Sequence, residues 1–167
     1  MVTSKTIEEK KIWDILAAVT DPEIPVLTVL DLGIVRSVNA DNGNIEIVIT
    51  PTYSGCPAMD MITMNIKQAL VDHGYKNCKV TSVLSPAWTT DWMSEEGKRK
   101  LKAYGIAPPN PKQQVCNQEL FTVNEAVQCP RCNSYHTHRI SEFGSTPCKA
   151  LYQCDECKEP FDYFKCH

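Results

Sequence analysis

Cys129-Pro-Arg-Cys132 and Cys154-Asp-Glu-Cys157 decide how the C-terminal part of this chain folds. Each Cys-x-x-Cys pair aims two thiolates at one ion, and the residues between the pairs form a loop or hairpin that brings them together. The interval is close to the roughly 15–20 residues typical of a four-cysteine zinc site. Four thiolates leave no open coordination position, so we predict a structural Zn(II) site. Two disulfides, or iron in place of zinc, are the alternatives.

Composition limits the classes of protein to which the chain can belong. It has 167 residues, of which 43% are hydrophobic and 22% charged, as in a soluble globular protein with one ordinary domain and a small appendage. The net charge of −3 argues against nucleic-acid binding. The N-terminus lacks the apolar segment of a signal peptide, and no long apolar run predicts a membrane span. We therefore expect a cytoplasmic protein, in which the 9 cysteines are metal ligands or free thiols.

The tail is too short to bury a full core. Metal binding would have to supply most of its folding free energy, on the order of 10 kcal/mol. Four aromatic side chains are expected to pack around the metal site: Phe143, Tyr152, Phe161 and Phe164.

Three prolines, Pro108, Pro109 and Pro111, indicate a linker between two parts of the chain. We predict an α+β domain over residues 1–105, a linker over 106–124 and a four-cysteine zinc ribbon over 125–167.

The first part shows signals of alternating helices and strands. A Thr6–Glu9 capping box opens a helix that Pro22 stops near Thr20. Strands over 34–38 and 45–49 flank Asn42-Gly43, the strongest short hairpin signal. A helix from Pro57 to about Gly74, a third strand over 79–84 and a short helix over 95–105 follow. The expected fold is a small sheet of about three strands packed with helices.

Cys56 is the residue of the first part most suited to chemistry. The sequence places it at the N-cap of the second helix, where the positive helix end would lower the pKa of the thiol and favour the thiolate. The thiolate is both the nucleophile and the metal-binding form. An inert buried thiol is the alternative.

Asp21 and Glu23 flank Pro22 in a stiff acidic turn. The rigidity of the prolines would fix one or both carboxylates facing Cys56, and a carboxylate and a thiolate could hold iron transiently. A solvated acidic turn is the alternative.

Other candidates carry weaker signals. Trp88 and Trp92 follow the third strand and would complete a core or cover a site, unless they form a partner surface. His136 and His138 lie between the cysteine pairs but are not needed as ligands. A thiol enzyme would need a base, and His73 lies near the far end of the helix that Cys56 opens, roughly 25 Å away. We therefore do not expect a Cys56–His73 dyad.

Several segments resemble known families. Residues 21–25 (Asp-Pro-Glu-Ile-Pro), 29–35 and 50–60 resemble the SufT-like family, small proteins tied to iron–sulfur assembly. Residues 129–132, 141–146, 148–152 and 159–166 are similar to the PaaD family of phenylacetate degradation, and with them the resemblance covers nearly the whole chain.

The resemblance implies a compact α+β domain joined to a zinc ribbon. It implies an accessory subunit of phenylacetyl-CoA epoxidase that does not itself catalyse epoxidation and that helps to mature the iron–sulfur cluster of the reductase component. By motif, Cys56 is the functional thiol and Asp21 and Glu23 are the acidic residues beside it. Transient iron or an iron–sulfur cluster would then join the structural zinc held by Cys129, Cys132, Cys154 and Cys157.

The implied partners are the other epoxidase components, with neither nucleic acid nor membrane, and a homo-oligomer is left open. The alternative function is a zinc-ribbon adaptor that binds a protein or a nucleic acid and has no role in metal transfer.

Overall fold

The computed structural model describes residues 7–109 and 126–165. The chain forms two compact units, divided between Ser94 and Glu95. One holds a three-stranded sheet with helices and the other a four-stranded sheet that carries the cysteine pairs, which confirms the predicted fold class. No helix within the described ranges has the length and apolar character needed to cross a membrane.

The first helix, α1 (Ile7–Leu16), buries Ile12, Ile15 and Leu16 on one face, as its helical spacing predicts. It ends before the predicted stop near Thr20. That residue instead pairs with Thr28 in an isolated antiparallel bridge, which draws the chain out of the helix. Thr6 of the expected capping box lies outside the described residues.

Strands β1 (Val35–Asp41) and β2 (Asn44–Ile49) form the predicted antiparallel hairpin. Its turn is Asn42-Gly43, with φ of 48° and 79°. A two-residue type I′ turn requires positive φ at both positions, which explains why the Asn-Gly signal was reliable.

Helix α2 (Ala58–Asp72) connects β2 to β3 (Asn77–Ser82), which lies parallel to β2. Because neighbouring parallel strands end at the same edge of a sheet, β2 and β3 both end where the loop over residues 50–57 begins. That loop carries Cys56 and leads directly into α2.

A segment over residues 85–94, which we call the strap, packs onto the loop that precedes β1. The Trp88 Nε1–H donates a hydrogen bond to the Leu32 carbonyl at 2.8 Å. Ser94 donates its backbone N–H to the Asp31 carbonyl at 2.9 Å and its hydroxyl to the Asp31 carboxylate at 3.0 Å. The buried Trp88 therefore completes the core of this unit.

The second unit begins with a helix and continues into a sheet. Its sheet has four strands, in the order β4 (Ile106–Ala107), β7 (Pro160–Phe164), β6 (Lys149–Cys154) and β5 (Thr137–Ser141), and β4 lies parallel to β7 while the other pairs are antiparallel. The helix that precedes this sheet is α3 (Glu95–Tyr104). The predicted linker thus begins in a strand, and its residues 110–124 lie outside the described part. The predicted domain boundaries stay a prediction.

The core of the second unit surrounds the first cysteine of each pair. Cys129 and Cys154 are buried in a cluster that includes Tyr152 and Phe161, and Phe164 is also buried. The expectation for Phe143 was wrong. Its side chain is 60% exposed, and the Lys165 ammonium lies 4.6 Å from its ring. A charge over the ring face lets this aromatic side chain stay at the surface.

Candidate functional site

The four cysteines of the tail converge on one point. Their sulfur atoms all lie within 4.8 Å of one another, with 3.8 Å between Cys129 and Cys157 and 3.5 Å between Cys132 and Cys154. A tetrahedral zinc with bonds of about 2.3 Å would separate its sulfur ligands by about 3.8 Å. The cluster therefore fits one tetrahedral ion, and these distances are far too long for disulfide bonds.

The two cysteine pairs form matching turns. The N–H of Cys129 donates to the Ser134 carbonyl at 2.8 Å, and the N–H of Cys154 donates to the Glu159 carbonyl at 3.0 Å. In both turns the residue after the second cysteine has a φ of 62°, at Asn133 and Lys158. Each Cys-x-x-Cys segment thus folds in the same way, which explains why spacing alone predicted the site.

Electrostatics explain why these sulfurs need a cation. The backbone N–H of Cys157 is the largest influence on Cys154 and lowers the pKa of that thiol to about 7. A hydrogen bond from the Glu159 N–H lowers the pKa of Cys157, but lost hydration and the neighbouring sulfurs outweigh it and raise that pKa to about 12. Four crowded sulfurs cannot all be thiolates unless a cation neutralises them.

The two histidines between the pairs have other partners. His136 Nδ1 lies 2.7 Å from Glu156 Oε1, and His138 Nδ1 lies 2.9 Å from Asp155 Oδ1, all on exposed side chains. Neither histidine is part of the four-sulfur cluster.

In the first unit, the N-cap of α2 is Pro57. Cys56 therefore lies one residue before the N-cap, whereas the sequence predicted it at the N-cap itself. The half-buried thiol still accepts a hydrogen bond from the Ala58 N–H at the start of the helix. The loop before it is a tight turn, in which the Cys56 N–H approaches the Tyr53 carbonyl at 3.3 Å and Gly55 has a φ of 85°.

The predicted direction of the Cys56 pKa was also wrong. Burial raises this pKa above its ordinary value, and the Ala58 N–H and the Tyr53 hydroxyl, which both lower it, only partly oppose this effect. The negative charges of Glu23 and Asp21 raise it further. Cys56 is therefore a protonated thiol at neutral pH, and a bound cation would be needed to convert it to the thiolate.

Asp21 and Glu23 are close enough to Cys56 for their charges to act on it. Asp21 is buried, and its Oδ1 accepts the backbone N–H groups of Glu23 and Ile24 at 2.7 Å each. These bonds close the acidic turn and hold the Asp21 carboxylate in one orientation. The solvated-turn alternative does not describe this residue.

His73 is at the other end of α2 from Cys56. It is the C-cap residue, and its Nδ1 lies 2.7 Å from the Ala69 carbonyl. A helix of 15 residues spans about 22 Å. The structure therefore does not bring Cys56 and His73 together as a nucleophile and its base.

Tyr53 is the residue of this site that the sequence did not reveal. Its hydroxyl oxygen is buried, and the presence of this hydroxyl lowers the pKa of the Cys56 thiol. The signal available in the sequence was its position three residues before Cys56, with Gly55 between them, which is typical of a tight turn.

Comparisons with known proteins agree with this geometry. A family model described as the PaaD zinc beta ribbon domain matches residues 113–165. An Escherichia coli K12 protein, provisionally named as one of the subunits of 1,2-phenylacetyl-CoA epoxidase, is 51% identical over 93% of this chain and 92% of its own length. The chain belongs to the PaaD family.

The N-terminal unit links this PaaD family member to a wider group. A model described as an iron–sulfur cluster assembly protein matches residues 9–84. A Porphyromonas gingivalis Fe-S protein maturation auxiliary factor is 36% identical over 56% of this chain and 90% of its own. The crystal structure of a domain of unknown function, DUF59, from Bacillus anthracis is 34% identical, with a TM-score of 0.53 over 56% of this chain and 90% of that one.

Proposed function

We propose that this PaaD family member is an accessory factor that helps to load iron or an iron–sulfur cluster into a partner of phenylacetyl-CoA epoxidase. The client that best fits this role is the iron–sulfur reductase component. One observation carries the proposal: the Cys56 thiol lies where the charges of Asp21 and Glu23 act on it. This group lies in the unit that matches the iron–sulfur assembly model.

The same surroundings favour brief rather than permanent metal binding. Cys56 contributes one sulfur, and the Asp21 carboxylate already accepts two backbone N–H groups through one oxygen. Metal must also displace a proton from a thiol whose pKa is raised, which weakens binding at neutral pH. A weakly held ion with few protein ligands can pass to a client that offers more.

The ribbon has a different role in the proposal. Cys129, Cys132, Cys154 and Cys157 would hold one structural Zn(II), which stabilises the tail and leaves no open position for a substrate. The unit also exposes large apolar side chains that a client could cover: Tyr135, Ile140 and Phe143. We propose that the ribbon docks the client while Cys56 handles the metal.

These exposed side chains are also what favours the second candidate, an adaptor that binds a protein without transferring metal. Aromatic side chains are enriched in protein interfaces. The nucleic-acid form of this alternative is disfavoured by the net charge of −3.

Co-expression of the reductase component with variants of this chain tests the proposed function. Cys56→Ala should keep its zinc and fold but lower the iron and acid-labile sulfide of the client several-fold. Cys78→Ala is the matched control, because Cys78 is another half-buried free thiol of the same unit. A client that is fully loaded with metal in the presence of Cys56→Ala would contradict a role of Cys56 in metal transfer. The adaptor function would then be the remaining candidate.

A further inference from the structure

Strand β3 ends the three-stranded sheet, because within residues 7–109 and 126–165 only β2 pairs with it. The Val83 N–H, just beyond β3, donates to the Ile49 carbonyl on β2 at 2.9 Å. Because the backbone groups of successive residues in a strand point to alternate sides, those of Cys78, Val80 and Ser82 point away from β2. Their N–H and C=O groups line an edge at which a further strand can form hydrogen bonds.

The other strands that end a sheet carry features that oppose further pairing. The register of β1 shifts between Val35 and Ser37, and that of β5 shifts between Arg139 and Ser141. Strand β4 has only 2 residues. Bulges and very short strands are common means of keeping a sheet edge from pairing with another chain. Strand β3 has neither feature, since its 6 residues pair with β2 in unbroken register.

The layer that covers one face of β2 is incomplete over β3. The parallel register places Cys78 beside Ile45 and Val80 beside Ile47, so both members of each pair point to the same face of the sheet. Ile45 is 2% exposed and Ile47 is fully buried, whereas Cys78 and Val80 are only half-buried. An edge strand with a partly exposed apolar side chain favours contact with a further strand.

A second copy of the same chain fits this edge in one antiparallel register. The stretch that pairs with β2 runs over residues 77–83, and Val80 is its centre. With Val80 opposite Val80 of the second copy, Lys79 faces the neutral Thr81 of that copy. A centre at Lys79 would place two ammonium groups opposite each other, which is destabilising. A centre at Thr81 would shorten the paired stretch.

We propose that β3 pairs in antiparallel fashion with β3 of a second copy, so that two three-stranded sheets form one continuous sheet. The two-fold axis is perpendicular to this sheet, which places both α2 helices on the same side of it. Exposed apolar side chains of α2 are then available to enlarge the buried area of the short strand contact: Met61, Met64 and Val71. Because the strands of the two copies run in opposite directions, the two Cys56 loops lie at opposite ends of the joined sheet.

The mass of the full chain in solution tests this pairing, measured by light scattering after size-exclusion chromatography over a dilution series. The wild type should have the mass of two chains. Ser82→Pro removes an N–H that faces away from β2, a position at which an edge strand tolerates proline, but it breaks a hydrogen bond in each half of the dimer. The dissociation constant should rise roughly ten- to hundred-fold. Ser82→Ala is the matched control, because it keeps the N–H and should stay as tight as the wild type.

Amide hydrogen exchange of the wild type locates the contact without any variant. The N–H groups of Cys78 and Val80 should exchange more slowly when the chain is dimeric than after dilution, whereas those at the outer edge of β1 should not change. A chain that is monomeric throughout the dilution series would overturn the proposal, even if a client segment then bound this edge. A dimer that leaves these amides unprotected, or that Ser82→Pro does not weaken, would overturn it as well. Neither metal nor client is needed, so the result is independent of the Cys56→Ala test of the proposed function.

Discussion

Opposing influences act on the Cys56 sulfur, and their sum decides its chemistry. The start of α2 and the Tyr53 hydroxyl favour the thiolate, whereas burial and the carboxylates of Glu23 and Asp21 favour the thiol. The protonated thiol is favoured, which suits the proposed role of Cys56, in which it would bind metal only when a cation arrives with its own charge. A permanently ionised thiolate would react with oxidants and electrophiles at all times.

Glu23→Gln removes one of the charges that oppose ionisation. The pKa of Cys56 should fall, so the midpoint of the pH profile of its alkylation by iodoacetamide should move to lower pH and the rate at pH 8 should rise a few-fold. Glu46→Gln is the control, because Glu46 is a surface carboxylate paired with Lys79 on β2 and β3. An unchanged or slower rate in Glu23→Gln would contradict the electrostatic account.

At this scale the sequence predicted which residues lie close together better than it predicted their pKa values. The four tail cysteines could be assigned because a Cys-x-x-Cys turn is local and its geometry follows from spacing. The approach of Asp21 and Glu23 to Cys56 was anticipated from the stiffness of a proline-flanked turn. The raised pKa was not, because it depends on burial by residues distant in sequence.

Among the structural elements, the strap over residues 85–94 depends on one glycine. Gly33 has a φ of 68°, and a Cβ added there would overlap the carbonyl of Trp92. We expect Gly33→Ala to lower the free energy of unfolding by roughly 2–4 kcal/mol, because it combines backbone strain with a clash against backbone.

Gly74→Ala is the control for this change. Gly74 has a φ of 91°, but an added Cβ would meet nothing within 4 Å. Its cost should therefore be confined to backbone strain, about 1 kcal/mol. Chemical denaturation followed by tryptophan fluorescence measures both, and equal losses would show that the strap does not press on Gly33.

The ribbon strands should depend on metal. Removing the ion by chelation, or changing Cys154 to Ser, should abolish the hydrogen-exchange protection of β5, β6 and β7, because the small core there includes two of the sulfurs. The first unit has its own core and should keep its protection. Protection that persists in the ribbon of metal-free protein would show that zinc is not what holds it together.

Elements that are determined by residues adjacent in sequence were predicted better than elements that depend on pairing with distant residues. The β1–β2 hairpin followed from Asn42-Gly43, and α3 ended as predicted at Gly105, which has a φ of 94°. Strand β4 could not be foreseen, because two residues show no periodicity and their pairing with β7 joins distant parts of the sequence. The early end of α1 likewise depends on the bridge between Thr20 and Thr28.

For the whole molecule, we expect a permanently held metal in one unit and a transferable metal in the other. Purified protein should hold about one zinc per chain that resists dialysis, because four thiolates saturate a tetrahedral ion. Added ferrous iron should bind more weakly than this zinc. Iron binding should be absent in Cys56→Ala and retained in Cys78→Ala. Metal analysis after gel filtration measures both, and iron in place of zinc at the four cysteines would contradict the assignment of the ribbon.

The central claim is that metal reaches the client through Cys56. The most direct measurement is to load the protein with isotopically labelled ferrous iron, mix it with the cluster-free reductase component and a sulfide source, and follow the label and the cluster absorbance of the client. The wild-type chain and Cys78→Ala should deliver labelled iron into the client, and Cys56→Ala should deliver little above free iron at the same concentration. Delivery by Cys56→Ala at the wild-type rate would contradict the account.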